Sequence, residues 1–259
     1  MKLLQGSLLT IVLIYCSLAL FLFIKQRDFI YFPSPVIQHP FEKISFTNND
    51  DNYTVRTTVL NKGKPTAIIY FGGNGEAVDL NASDFSRTFS NQSVYLVKYR
   101  GYSGSDGTAT EEALFSDALT VYDSIKSHYQ SVAVIGRSLG SGVACYLASQ
   151  RPVDKLTLIT PFDSAQSIAQ STYPIFPMSI LLKDKYDSVS RANKIKANVL
   201  FLIAEHDQTI TFKHSERLME SFSPTQIQVI ILNNVGHNTI SNNPQYYQAL
   251  NTFATSLPQ

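Results

Sequence analysis

The chain is short of cysteine and of charge. It has two cysteines, Cys16 and Cys145, in 259 residues. Two thiols build neither a disulfide framework nor a cysteine-rich metal site. Charged residues make up 16% of the chain, against roughly 25% in an average soluble domain. Neither sign is in excess, with 21 Lys and Arg against 20 Asp and Glu. Such a balance offers no basic stripe to a phosphate backbone, so nucleic acid is not an expected partner. No residues cluster as metal ligands, and neither a metal nor a cofactor is expected. Internal repeats and low-complexity segments are also lacking. What is present is apolar: 44% hydrophobic and 12% aromatic residues bury a real core and exclude a disordered chain. At roughly 100–200 residues per domain, the length allows one sizeable domain or two small ones.

The apolar residues are concentrated first in residues 8–24, LLTIVLIYCSLALFLFI, which hold no charge. Counted from Leu3, the run reaches the ~20 residues that cross a bilayer. Lys2 flanks it on one side, Lys25 and Arg27 on the other. A cleaved signal needs a small-x-small site after the apolar region, but Lys25-Gln26-Arg27-Asp28-Phe29 follows. Ser17-Leu18-Ala19 fits that rule only inside the run. Tyr15 is too bulky before Cys16 for a lipoprotein site. The expectation is a single-pass membrane anchor over residues 1–28 and a catalytic domain over 29–259, with a cleaved signal as the alternative. Flanking charges point both ways and leave the membrane side open. The chemistry described below draws on no residue of the anchor.

Beyond an aromatic and proline-rich connector (Phe29 to Pro35), strand and helix signals alternate. Residues 53–60 alternate with period two. Short apolar runs at 67–71, 94–97, 132–135, 156–159, 199–203 and 228–232 fit strands buried on both faces. Helical patterns lie between them. The clearest begins at Thr110, an N-cap followed by Glu111 and Glu112, with Leu114, Ala118, Val121, Tyr122 and Ile125 on one face. Others cover 139–149, 214–221 and 244–256. This alternation predicts an α/β fold, a mostly parallel sheet with helices on both faces. Residues 161–197 form an irregular insert with three prolines and an apolar patch at 175–182, a candidate lid.

Gly136-Arg137-Ser138-Leu139-Gly140 follows one of these strands directly and opens a helix. That context is the test for a nucleophile elbow. Glycines at 136 and 140 remove side chains that would collide with the tight turn, and Ser138 is the expected nucleophile. A serine hydroxyl needs a base. Of five histidines, His237 alone follows a strand on the expected sheet edge without a better assignment. His39 precedes the first clear strand, His128 ends a helix, His214 lies within one, and His206 adjoins an acid candidate. Asp207, just past the strand at 199–203, is the expected acid, with Glu205, Asp184 and Asp187 as rivals. The order Ser, Asp, His is that of α/β hydrolases. Oxyanion N–H donors are expected from Leu139 and from Asn74 in the glycine loop 72–75. The glycine-rich loop 100–107 reads as loop geometry rather than a binding site.

Several segments together resemble the membrane-anchored α/β hydrolases of the Bem46 and YfhR type. They are Tyr31-Phe32-Pro33, Tyr70-Phe71-Gly72-Gly73-Asn74, Tyr99-Arg100-Gly101-Tyr102-Ser103-Gly104-Ser105-Asp106-Gly107, Gly136-Arg137-Ser138-Leu139-Gly140, Pro161-Phe162-Asp163-Ser164 and Gly236-His237-Asn238. Gly72 stands where many of these relatives carry His, and Thr211 where they usually carry Pro. The resemblance implies the α/β-hydrolase fold, the triad, and activity on esters or thioesters. The expected function is thus a serine hydrolase of carboxyl esters or thioesters, acting on small-molecule or lipid esters near a membrane. The apolar patch and the anchor point to acyl substrates. A peptidase of the prolyl-oligopeptidase kind and a catalytically silent binding protein of the same fold are the alternatives.

Overall fold

The computed structural model describes residues 2–256, with side chains from Gln5 onward. It opens with α1, Lys2–Ile30. Among the described residues this is the one helix long and apolar enough to cross a membrane, and the rest of the chain buries none of its apolar window. A buried core helix is thereby excluded for that segment, and an anchor or a signal segment remains.

The elements that follow are β1 (Glu42–Asn48), β2 (Tyr53–Leu60), β3 (Thr66–Phe71), α2 (Ala82–Thr88), β4 (Gln92–Lys98), α3 (Glu111–Ile125), β5 (Ser131–Arg137) and α4 (Leu139–Gln150). The second half holds β6 (Lys155–Ile159), α5 (Ala165–Thr172), α6 (Met178–Leu181), α7 (Val189–Ala192), β7 (Asn198–Ala204), α8 (Phe212–Met219), β8 (Ile227–Leu232) and α9 (Gln245–Thr255). The strands form one eight-stranded sheet in the order β1-β2-β4-β3-β5-β6-β7-β8. β2 is antiparallel to both its neighbours, and the pairs from β4 to β8 are all parallel.

Successive residues of the central strands enter opposite layers, as strand pleating requires. Ile69, Phe71, Val134 and Leu158 pack with α3 and α4 residues such as Val121 and Val143. Ile68, Tyr70, Ile135 and Ile159 pack with Phe85 of α2 and Leu250 of α9. Each such side chain, removed from water on folding, contributes about 1.5–3 kcal/mol. Helix α3 starts where the pattern places it: the Thr110 hydroxyl accepts from Ala113 N–H at 3.1 Å, and its spaced apolar residues are buried.

Three elements differ from the sequence reading. β1 has an exposed and polar face, EKISFTN, and offers no apolar run to find. α2 is two turns long. The insert holds three short helices between irregular stretches: α5 is capped by the Ser164 hydroxyl, which accepts from Ser167 N–H at 3.0 Å, and α6 and α7 are single turns. The insert is braced at its base by Asp163, which accepts from His214 Nδ1–H at 2.9 Å. The 100–107 loop is locked by Arg100, which donates to Asp117 Oδ1 and Oδ2 at 2.6 and 2.8 Å and also pairs with Asp51.

α1 runs two residues past the expected boundary at 28 and packs along the insert. Its Tyr15, Ala19, Leu22, Gln26 and Ile30 form a stripe at helical spacing. Tyr15 stacks on Phe176 of the insert at 5.0 Å between ring centroids, and its hydroxyl donates to Ile175 C=O at 3.0 Å. Gln26 donates to Leu181 C=O at 3.1 Å and accepts from Lys183 N–H at 2.6 Å. Arg27 pairs with buried Asp184 at 2.9 Å, which also accepts from Tyr31 O–H at 3.0 Å. Burial, and then the Asp184 charge, push the Tyr31 phenol up, so it remains a donor.

Candidate active site

The parallel strands all deliver their C-terminal ends to one edge of the sheet, where α/β folds place ligands. Phe71 of β3 sits opposite Gly136 of β5, so the glycine loop and the serine turn leave the sheet side by side. β7 and β8 end on the same edge, followed by the loops holding Asp207 and His237.

Ser138 sits between β5 and α4 with φ +49° and ψ −116°. This is a left-handed conformation that a side chain adopts only at a cost. The turn is so tight that the residues two before and two after Ser138 carry no side chain. A Cβ on Gly136 would lie 2.3 Å from Gly140 C=O, and one on Gly140 would lie 2.1 Å from Phe71 C=O. Ser138 N–H donates to Ile159 C=O at 2.9 Å, and Ser141 Oγ–H donates to Ser138 C=O at 2.6 Å.

Ser138 Oγ and His237 Nε2 are 2.9 Å apart, and His237 Nδ1 and Asp207 Oδ2 are 2.7 Å apart. A carboxylate only accepts, so Nδ1 carries the proton and Nε2 is free to receive one from the serine hydroxyl. Asp207 Oδ1 accepts from Thr209 and Ile210 N–H at 2.9 and 2.7 Å, which fixes the carboxylate from behind. Both side chains are nearly shut off from solvent, 5% exposed for Asp207 and 9% for His237. The rivals are engaged elsewhere. Glu205 accepts from Asn234 N–H, Asp184 holds Arg27, and Asp187 accepts from Ser190 N–H.

The glycine loop faces the serine. A Cβ on Gly73 would come within 3.6 Å of the Ser138 Cβ. Asn74 is held by its side chain, whose Oδ1 accepts from Phe32 N–H and Tyr102 O–H, both at 2.9 Å. Gly73 N–H is already given to Glu76 Oε2 at 2.6 Å, whereas no partner takes Asn74 N–H among the described residues. Asn74 and Leu139 both line the cavity beside Ser138.

Two residues here escaped the sequence reading. Glu76 accepts from Tyr70 O–H and Asn81 Nδ2–H at 2.7 and 2.6 Å, besides Gly73 N–H. Arg137, next to the serine, lies 3.7 Å from Glu76 and donates to His237 C=O at 3.2 Å. The pair links the glycine loop to the histidine loop through the middle of the elbow motif. The signal was the charged residue between Gly136 and Ser138, at a position where nothing in the elbow itself demands charge.

Above Ser138 lies a cavity of about 700 Å³. Its walls include Ile168, Ala169 and Met178 of the insert and Leu22 and Phe29 of α1. Among the described residues no three His, Cys, Asp or Glu side chains stand close enough to hold a metal ion.

An eight-stranded sheet of this order, with a serine elbow after its fifth strand, defines the α/β-hydrolase class. The chain belongs to the FSH1 serine hydrolase family, whose description matches residues 46–244. A Mycobacterium tuberculosis protein, Rv2307c, is 31% identical over 247 residues, covering 88% of this chain and 86% of its own, and is described as uncharacterised. The Caenorhabditis elegans alpha/beta hydrolase domain-containing protein aho-3 is 25% identical over 169 residues, 63% of this chain and 49% of its own. Among solved structures, the Pyrococcus furiosus esterase Pf2001 superposes with a TM-score of 0.69 over 89% of this chain and 98% of its own, at 15% identity. That likeness carries the fold.

Proposed function

We propose that the protein is a membrane-anchored serine esterase or thioesterase of the Bem46 type, acting on acyl substrates through Ser138, His237 and Asp207. The observation that carries this reading is the run of short contacts from Ser138 Oγ through the imidazole to Asp207, at 2.9 and 2.7 Å. His237 Nε2 takes the serine proton as Oγ attacks the acyl carbonyl. Asp207 holds the imidazole in the working tautomer and stabilises its charged form. Asn74 and Leu139 N–H receive the oxyanion. As the tetrahedral adduct collapses, His237 returns the proton to the departing alcohol or thiol. Water, activated by the same imidazole, then attacks the acyl-enzyme and releases the acid. The apolar cavity walls favour an acyl chain over a peptide.

Replacing Ser138 by Ala is expected to lower turnover of small 4-nitrophenyl esters by about 10⁴–10⁶-fold, as in other triad knockouts. It is also expected to abolish labelling by a fluorophosphonate probe. Undiminished labelling of Ser138→Ala would remove Ser138 as nucleophile. An unlabelled and inactive wild-type chain would remove the hydrolase reading itself.

A further inference from the structure

We infer that the cavity receives the acyl chain of a lipid drawn sideways from a bilayer, with α1 forming one wall of the acyl channel. This deepens the serine hydrolase reading and rests on it. The first observation is the wall itself. Leu22, Gln26, Phe29 and Ile30 of α1 share the cavity with Ile168 and Leu181 of the insert and with Ser138. A chain whose carbonyl lies at Ser138 therefore runs between a helix able to cross a membrane and the insert.

The second observation is depth. Tyr15 bonds and stacks with Ile175 and Phe176. It precedes Lys25 by ten residues, about 15 Å along a helix axis. The charged contacts gather at the other end. Lys183 lies 4.3 Å from the Phe23 ring centroid, Arg27 pairs with Asp184, and Lys25 pairs with Asp28. With that charged level at a membrane surface, Ile175 reaches about halfway into a hydrocarbon core of about 30 Å.

The third observation is composition. From Ser164 to Leu182 the insert holds no charged residue, and it leaves Tyr173, Ile175 and Ile180 exposed, Ile180 by 78%. An exposed apolar tip beside a spanning helix suits lipid rather than water. The occupant of this surface is thus the bilayer, and the ligand class is a long-chain ester or thioester presented by it. A cavity of about 700 Å³ lies within the usual ligand range of ~300–1,000 Å³.

The test uses the full chain in phosphatidylcholine vesicles. The sequence has no tryptophan, so Ile180→Trp introduces a sole indole at the insert tip. Its emission is expected to shift to the blue and to fall at least twofold when the vesicles contain brominated phosphatidylcholine. Val229→Trp, on the exposed side of β8, is expected to show neither change. In parallel, 4-nitrophenyl esters from acetate to palmitate give a chain-length profile. Leu22→Trp narrows the α1 wall and is expected to lower the ratio of palmitate to acetate kcat/KM at least tenfold. Leu22→Ala widens the wall and is expected to move the profile toward longer chains, which keeps the arm decisive if the larger residue perturbs folding. Ile11→Trp, away from the cavity on α1, is expected to keep the wild-type ratio. Water-like, unquenched emission at position 180, or a ratio indifferent to both Leu22 changes, overturns the inference. Should the wild type hydrolyse no ester, the hydrolase reading fails on its own, and the fluorescence still decides whether the insert enters the bilayer.

Discussion

Ser138 is the one residue of the site whose backbone is itself uncomfortable, and its surroundings explain why the turn holds. Removing the Cβ at 136 and 140 lets α4 approach β3 and β5 to backbone contact. Arg137 then acts as a positioning residue. It reaches Glu76 on one side and the carbonyl of His237 on the other, so the glycine loop and the histidine loop share one anchor. Arg137→Met is expected to lower kcat about 10–100-fold with KM changed less, since displacement of reacting groups by about 1 Å costs up to ~10². Arg137→Lys is expected to recover part of that loss. Steady-state kinetics on a soluble ester check it, and a kcat equal to wild type would confine Arg137 to packing. Cys145 lies in α4 with no exposed surface, and burial pushes its thiol up to about 12. The folded thiol stays protonated at a pH where an unfolded one, ordinarily near 8.5, has ionised. The unfolded state then binds fewer protons, so this residue lowers stability as pH rises above about 9, by up to ~1.4 kcal/mol per pH unit. Urea unfolding midpoints against pH check the sign, and Cys145→Ala is expected to flatten the slope. In the native chain at pH 8.5, iodoacetamide is expected to leave Cys145 unmodified.

At the scale of elements, the joint between α1 and the insert carries the most consequence. Asp184 is buried, and its partners are Arg27 and Tyr31. Arg27 is 42% exposed at its side chain, so solvent screens part of the attraction. Arg27→Ala leaves the carboxylate with Tyr31 alone. It is expected to cost about 1–2 kcal/mol, below the ~3–5 kcal/mol of a fully buried pair. A thermal melt of the full chain in detergent reads the loss, and an unchanged midpoint would mean that Tyr31 suffices. The same joint explains why the insert is legible only in part from sequence. Its apolar patch at 175–182 is visible, but α5 and the single turns of α6 and α7 acquire their conformation from Ser164, Glu111 and α1. Glu111 Oε2 accepts from Lys185 N–H at 2.6 Å and Oε1 from Tyr186 N–H at 3.0 Å, contacts more than seventy residues apart that no local pattern announces.

For the molecule as a whole, α1 leaves most of its uncharged segment exposed, while its Leu22, Gln26, Phe29 and Ile30 line the cavity beside Ser138. At about −0.3 to −0.6 kcal/mol for each central Leu, Ile, Phe or Val, insertion of residues 8–24 is expected to be favourable. Full-length protein is expected to remain in the membrane fraction in alkaline carbonate and to require detergent for release. Release by carbonate, or a mature chain from the native source that starts after Ala19, would count against the anchor. A truncation at Asp28 removes Leu22, Gln26 and Arg27 together. It takes away part of the cavity wall and the partner of Asp184, so it is not a neutral trimming of the catalytic domain.

The alternation of strands and helices, the glycine-flanked turn at 136–140, and the chain order of Ser138, Asp207 and His237 are all legible along the chain. These follow from local rules: apolar runs mark strands buried on both faces, and the tight turn at Ser138 accepts only glycine two residues to either side. The sequence also marks residues 8–24 as able to cross a membrane, because length and lack of charge suffice for that. Features that depend on approach between distant segments arise only on folding. β1 hides in the sequence because only pairing with β2 makes its polar edge a strand. Arg137 and Glu76 meet because β3 and β5 are neighbours, although β4 and α3 intervene in the chain. The stripe from Tyr15 to Ile30 looked like any lipid-facing helix until the insert packed against it. Contacts of that kind are set by how the sheet orders its strands and by where the insert folds, and neither is written in the periodicity of a single segment.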